Sequence, residues 1–465
     1  MRGDWQQAMV SRRNVLKGAG AAALAGAATP LLAAAAQQQS QPAGNLRGTE
    51  LKILQWVHFV PQYDKWFDPF VKAWGDANGV KTTVDHINTT DVPATFAAEI
   101  AAKKGHDLVE DIAPRANLEP SLVDLTDVVQ EANKQFGPQS ELSRQWGYNP
   151  TTNHFFSFVH GWAPDPGDYR KAMWEKVNLG DGPATYDELL SGGTKIYQDQ
   201  GVHMGIGMSN EIDSNMAASA MVWSFGGAVQ DAHENIVLNS PQTIAAVEYM
   251  VKLYKATMTP EVFGWNPASN NQLLIAGRAS YILNSISAYR TAQTQQPQIA
   301  KDIYFTKALK GPGGVGLVNG HAIMGYMIPN YSKNIKTAKA FLLHLLANYS
   351  DACYQSQLYN FPGWPSTAPK LLQEGGWLDN DPFGSQPANK LAILKDADKW
   401  TVSVGYPGPT NAIMGDVLGT YVLPRMMGRA AQGQQSPKDS VAQATKECEQ
   451  IAQKWRKAGL VGGSK

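Results

Sequence analysis

The chain has 465 residues, enough for two or three units at about 150 residues each and for a sizeable buried core. Its 40 basic residues balance its 40 acidic ones and charged residues make up only 17%. That argues against nucleic acid or an anionic membrane as the main partner, since both require a basic field. Thirteen tryptophans in a Gln- and Asn-rich, neutral background suit a neutral polar ligand, although surplus indoles also serve as core.

In chain order, Arg12 and Arg13 stand inside the run Ser11 to Lys17, directly before the uncharged, Ala- and Gly-rich stretch 18–36. The arrangement resembles a twin-arginine export signal, with Val15 where Phe is common and with Ala33 to Ala36 as the small-residue cleavage region. A membrane anchor of this length would be richer in Leu, Ile, Val and Phe. The expectation is a signal peptide over 1–36, cleaved near Ala36, followed by a polar linker over 37–48 and an exported, soluble mature chain. Leu51 to Val57 reads as a strand and Trp66 to Trp74 as a helix with Trp66, Phe70, Val71 and Trp74 at helical spacing. Lys81 to Val84 is a strand, Thr95 to Lys104 a helix ended by Gly105, and His106 to Glu110 a third strand. Strand, helix, strand, helix, strand is the pattern of a parallel sheet with crossover helices.

Further on, Thr185 and Glu188 form a capping box. Ser240-Pro241 and Ser436-Pro437 are helix starts with Ser as cap and Pro in the first position. The first leads a stripe of Ile244, Val247, Val251 and Tyr254. The second leads Val441, Ala444, Cys448, Ile451, Ala452 and Trp455. Residues 335–347 read as a helix with Ile335, Ala338, Phe341, Leu342, Leu345 and Leu346 inward. From 350 to 435 the composition turns to Gly, Pro and Asn with scattered aromatics, as expected of loops lining a cleft. The two cysteines, Cys353 and Cys448, could pair in an oxidising compartment. A chain folded before export and the apolar helical setting of Cys448 favour two free buried thiols.

This order of segments resembles the family 1 extracellular solute-binding proteins, the sugar-binding components of ABC importers. The resemblance is carried by Gly105 to Val109, by Leu122 to Asp127, by Tyr169 to Leu190 with Gly182-Pro183 and Thr185 to Leu189, by Ala276 to Ser280, and by Pro329 to Asn334 followed by Ala338 to Leu342. Tyr169-Arg170 stands where relatives have Tyr-Asn, and Asn284 to Ser287 replaces an aromatic setting, so ligand identity does not carry over. The resemblance implies an α/β, two-lobed periplasmic-binding-protein fold of type II-like form. Each lobe would be a mainly parallel sheet with flanking helices, and the ligand cleft would lie between them. Lobe 1 would comprise 49–159 and 305–350, and lobe 2 160–304 and 351–465. It also implies a monomer that delivers a neutral carbohydrate or polyol to inner-membrane permease subunits, with no cofactor and no catalysis.

No paired carboxylates, Gly-x-Ser-x-Gly elbow, metal motif or phosphate loop supports an enzyme on the sequence alone. An exported carbohydrate-active enzyme and a binder of cations such as polyamines stay open as alternatives, the second needing a carboxylate cluster with aromatics. Sugar hydroxyls need partners in a closed cleft and C–H faces need flat platforms. Residues of those types at strand–loop junctions are Trp56, His58, Asp111, His160, Trp162, Trp223, Trp265, Asn266, Asn284, Ser285, His321, Trp364 and Tyr406. Trp56 and Trp223 could equally be core indoles, His58 a satisfied histidine and Asp111 a local cap. Trp364, between Pro362-Gly363 and Pro365, is the expected stacking platform on the cleft wall.

Overall fold

The computed structural model describes residues 45–463. The arginine pair and the cleavage region lie outside the described residues. Strands run in chain order as β1 (Glu50–Trp56), β2 (Lys81–Ile87), β3 (Leu108–Asp111), β4 (Tyr148–Asn149), β5 (His154–Phe155), β6 (Phe158–Ala163) and β7 (Gly167–Arg170). They continue as β8 (His203–Gly205), β9 (Ala279–Leu283), β10 (Ile303–Thr306), β11 (Val318–Asn319), β12 (Ala322–Met327), β13 (Phe361–Pro362) and β14 (Thr401–Val402).

Two sheets organise the lobes. The first has the order β13-β6-β12-β3-β1-β2 and the second β10-β7-β9-β8. Both are mixed rather than mainly parallel. β1 pairs in parallel with β2 and β3, and β8 with β9, where crossover helices separate the strands. β12, β6 and β13 run antiparallel, as do β7 and β10 against their neighbours. The reason is connectivity: β6 leaves the first sheet straight into β7 of the second, and β12 returns from β11.

The opening strand–helix–strand pattern is present, with helices Gln62–Asn78 and Val92–Ala102. The first helix starts earlier than its apolar spacing indicates and buries Tyr63, Phe67, Val71 and Trp74, while Trp66 and Phe70 stack on each other at 4.7 Å at its edge. The Thr185–Glu188 capping box opens the helix Tyr186–Gln200, and Ser240 and Ser436 cap theirs as expected. In Pro241–Thr257 the inward stripe is Thr243, Ala246, Val247, Met250 and Leu253, one step round from the expected one. Against expectation, much of 350–435 is packed interior. It contains the buried helices Ala412–Gly419 and Val422–Ala431, and it buries Leu371, Leu378, Leu391 and Leu394. These leucines lie on short turns, so no period advertises their burial. Cys353 and Cys448 are both free and buried. Among the described residues no helix is long and apolar enough to cross a membrane.

Candidate functional site

The chain links the two sheets at Pro164-Asp165-Pro166, between β6 and β7, and returns to the first sheet through Gly320-His321, between β11, which pairs with β14 apart from both sheets, and β12. The two links meet: His321 Nδ1 lies 3.0 Å from Asp165 Oδ1, and the His321 backbone N–H donates to Ala163 O at 2.8 Å. Prolines on both sides restrict the backbone around Asp165.

Residues from both sheets close on this point. From the first sheet come His58 and Phe59, just past β1, and Tyr359 and Asn360, just before β13. The ring of Tyr359 lies 5.2 Å from His58, 6.3 Å from Phe59 and 6.4 Å from His321. Gln357 and Leu358, immediately before it, both have left-handed backbones, with φ of 54° and 68°. Such conformations cost non-glycine residues on the order of 1–3 kcal/mol each and cluster at functional sites. Here they are held by Arg290 Nε donating to Gln357 O at 2.9 Å and by Leu358 N–H donating to Cys353 O at 2.9 Å.

From the second sheet come Asn284 and Ser285, just past β9, and Glu211 and Asp213 at the start of the helix Ile212–Ser224. Glu211 caps this helix by accepting from the backbone of Asp213 and Ser214. Gly207 passes so close that a Cβ there would stand 2.5 Å from Ser214 Oγ and 2.9 Å from Glu211 Oε1. Asn270 Nδ2 donates to Asp213 Oδ2 at 2.8 Å. Asn284 N–H donates to Pro166 O at 3.1 Å, tying the end of β9 to the first link.

The site is buried but not satisfied. Asp165 Oδ2, Asn284 Nδ2, Ser285 Oγ, Tyr359 OH and Asn360 Nδ2 are all enclosed without a hydrogen-bond partner. Ser285 lies beside the Tyr359 hydroxyl and bears on its acidity, and neither has any other partner. Unpaired buried groups are rare in folded proteins and cost about 1–3 kcal/mol each. Such groups from both lobes are what a polar ligand entering the junction would satisfy. Burial raises the carboxyl pKa of Glu211 to about 8 and of Asp213 to about 6, with Asp213 adding to the rise at Glu211 and His321 opposing it at Asp213. Burial opposes a charge on His321, but Asp165, Asp213 and Glu211 together outweigh it and raise its pKa. Burial lowers His58 to about 4, so this imidazole is neutral. Among the described residues no group of three or more His, Cys, Asp or Glu is placed to hold a metal ion.

Of the residues expected from sequence, His58, Asn284, Ser285 and His321 lie at this junction. Trp56 stands behind it, fully buried and stacked on His58 at 4.7 Å. The others lie elsewhere. Asp111 is a local cap, accepting from Ala113 N–H and from Arg115 Nε at 3.1 Å. His160 spends both nitrogens inside the first sheet, on Glu110 at 2.6 Å and Tyr349 at 3.3 Å. Trp162 packs between Trp146 and Phe361. Trp364 is fully buried, stacked on Phe158 at 4.9 Å, and donates Nε1–H to Asn133 Oδ1 at 2.8 Å, so it offers no face to a ligand. Asn266 forms a local turn just before the helix Ser269–Ile275, its Oδ1 accepting from Ala268 N–H at 2.9 Å. Trp223 makes an edge contact with the exposed Tyr406. Trp265 lines a separate surface groove of about 490 Å³ with Met208, Ser209, Arg425 and Arg429.

Phe59, Asp165, Glu211, Asp213, Tyr359 and Asn360 were not singled out by sequence. Two signals were present: an acidic residue between two prolines at the first sheet-to-sheet link, and Glu-Ile-Asp opening a helix after β8.

Two sheets joined by repeated chain crossings, with convergent polar groups at the joint, define a two-lobed periplasmic-binding-protein fold. Residues 65–381 match the bacterial extracellular solute-binding proteins, and the chain belongs to that family. Its fold is similar to the maltose-bound MalE3 of T. maritima, at 20% identity and a TM-score of 0.71, covering 87% of this chain and 100% of that one. It is also similar to a sugar transporter protein of Arthrobacter chlorophenolicus A6 with bound laminaribiose, at 16% identity, TM-score 0.71, covering 86% and 99%. A third similar structure is an ABC transporter solute-binding protein of Agrobacterium radiobacter K84 in complex with ribitol, at 16% identity, TM-score 0.70, covering 88% and 100%. No curated protein matches by sequence.

Proposed function

We propose that this chain is the exported binding component of an ABC importer and captures a carbohydrate or polyol between its lobes for delivery to a membrane permease. The observation that carries this reading is the set of enclosed, unpartnered polar groups contributed by both lobes at Asp165, Ser285 and Tyr359. Closure on a hydroxylated ligand would satisfy them, and contacts to both lobes bias the closed state. The similar structures with bound maltose, laminaribiose and ribitol support the ligand class. Lobe 1 takes in 49–163 and most of 322–362, and lobe 2 the β7–β10 sheet with the C-terminal helices. The chain crosses at 164–166 and 319–321, and a third time after β13 to reach the C-terminal helices. The protein works as a periplasmic monomer and releases its ligand unchanged. Export uses the arginine pair: replacing Arg12 and Arg13 by Lys keeps the charge but strands the precursor in the cytoplasm.

A melting-point screen over sugars, polyols and polyamines tests the reading. A ligand at 100 times its dissociation constant stabilises by about 2.7 kcal/mol, a readily measured shift. Absence of any sugar or polyol shift ends the carbohydrate reading, and conversion of a recovered saccharide would favour an exported enzyme. One observation favours the cationic-solute alternative: the carboxyl cluster that this alternative requires is present at the junction, at Asp165, Glu211 and Asp213.

A further inference from the structure

The junction gathers more carboxyl groups than cations. Asp165, Glu211 and Asp213 all act on one imidazole, His321. A fourth carboxyl, Asp168 on β7, acts on none of them favourably: it lies near Asp165, and both its oxygens are enclosed without a partner. Among the described residues, no lysine or arginine is among the groups acting on Asp165, Asp168 or Asp213. Arg115, which like Glu211 acts on Tyr421, is spent on Asp111. His58, the other imidazole of the site, is kept neutral by burial.

An enclosed carboxylate without a cation is costly, and such groups either take up a proton or find a partner. Hydroxyl donors of a neutral sugar would satisfy the oxygens but leave the charge. An ammonium group supplies donors and charge together. The rings of Phe59 and Tyr359, in edge contact at 6.3 Å, stand at the same junction, and aromatic rings attract a cation.

Resting on the carbohydrate reading above, we propose that the preferred ligand is a saccharide bearing a protonated amine. Its ammonium sits among Asp165, Glu211 and Asp213, and its hydroxyls meet Tyr359, Ser285 and Asn284. Capture displaces protons from the acid cluster into solvent. The raised pKa values of Glu211 and Asp213 are the same imbalance seen without the ligand.

The test uses the mature chain with matched probes: glucose and glucosamine, galactose and galactosamine, mannose and mannosamine, cellobiose and the β-1,4-linked glucosamine dimer, the N-acetylated forms, and spermidine. Melting and calorimetry in buffers of different ionisation enthalpy read affinity and proton release. The expected result is an amino sugar at least about tenfold tighter than its hydroxyl twin, an advantage lost on N-acetylation, with protons released on binding. Asp213→Asn should remove that advantage, bringing the amino sugar and its hydroxyl twin to equal affinity. Asp165→Asn is the second variant, and the melting points of both without ligand separate lost folding from lost binding. Equal affinity of the twins, or full affinity of the N-acetyl form, overturns the amine while the carbohydrate reading stands. Stabilisation by spermidine and by no saccharide overturns both the amino-saccharide and the carbohydrate reading, and so does a lack of response to every probe.

Discussion

Among the described residues, two buried clusters of carboxylate and histidine differ in how far their hydrogen bonds are satisfied. Inside the first sheet, His160 Nε2 lies 2.6 Å from Glu110 Oε1, Gln55 donates to the other Glu110 oxygen, and Tyr326 OH donates to Gln55 Oε1 at 2.6 Å. Gly161 leaves room for the Tyr349 hydroxyl to pack against the strand beside His160. Every acceptor of Glu110 and Gln55 is therefore used. At the junction of the lobes, Asp165 and His321 make the corresponding pair, but Asp165 Oδ2, Tyr359 OH and Ser285 Oγ are left without partners. Residue type does not tell a structural cluster from a binding site. These two differ in hydrogen-bond satisfaction, and at the junction the unpaired groups come from both lobes to one point.

That comparison can be broken most directly in the satisfied cluster. Glu110→Ala leaves His160 Nε2 and Gln55 Nε2 unpaired in the core and should cost about 3–5 kcal/mol of stability by urea unfolding, with saccharide affinity of the folded protein retained. A mild stability change with a large loss of affinity would make the first cluster part of the site. Trp364→Ala belongs with it: the indole is core, so its removal should also cost about 3–5 kcal/mol and leave binding intact. In the unsatisfied cluster the effects should divide the other way. Asp213→Asn should weaken binding of the preferred ligand by about 1–3 kcal/mol, while the unliganded melting point holds or rises because a buried like charge beside Glu211 is gone.

The pH dependence sharpens the same contrast. Glu211 has a folded pKa of about 8 against an ordinary 4.5. Between those values the folded state binds the extra proton, so the unliganded protein should lose stability as pH rises through 8. His58, with a folded pKa of about 4 against 6.5, acts in the opposite sense: its contribution is lost as pH falls from 6.5 towards 4. Above pH 6.5 the decline comes from Glu211 together with His321, whose raised pKa acts in the same sense, and Glu211→Gln should reduce its slope in melting measurements across pH 6.5–8. The smallest effect is a control outside both clusters. Thr185→Ala removes one half of a capping box and should cost about 1 kcal/mol by the same unfolding measurement, with no change in binding.

Much of the architecture was legible in the chain alone because it is encoded locally. The caps at Thr185, Ser240 and Ser436 act over three or four residues, and the apolar period of 437–457 puts Val441, Ala444, Cys448, Ala452 and Trp455 on one buried face. The family followed from ordered local segments of the same kind. The antiparallel half of each sheet was not legible, since strand direction depends on where the chain crosses between lobes.

The site divides along the same line. Asn284 and Ser285 could be placed at the end of β9 because strand ends face ligands in such folds. Trp364 could not be excluded from the cleft by its prolines, which rule out a helix but not burial against Phe158 and Asn133. Asp165, Glu211 and Asp213 are each 46 or more positions, or a whole strand, removed from at least one partner, and no spacing rule links them. The sequence by itself determined the local elements, the caps and the family. Only the tertiary structure decided which polar side chains are enclosed together without partners, because burial and hydrogen-bond satisfaction arise from contacts among residues far apart in the chain.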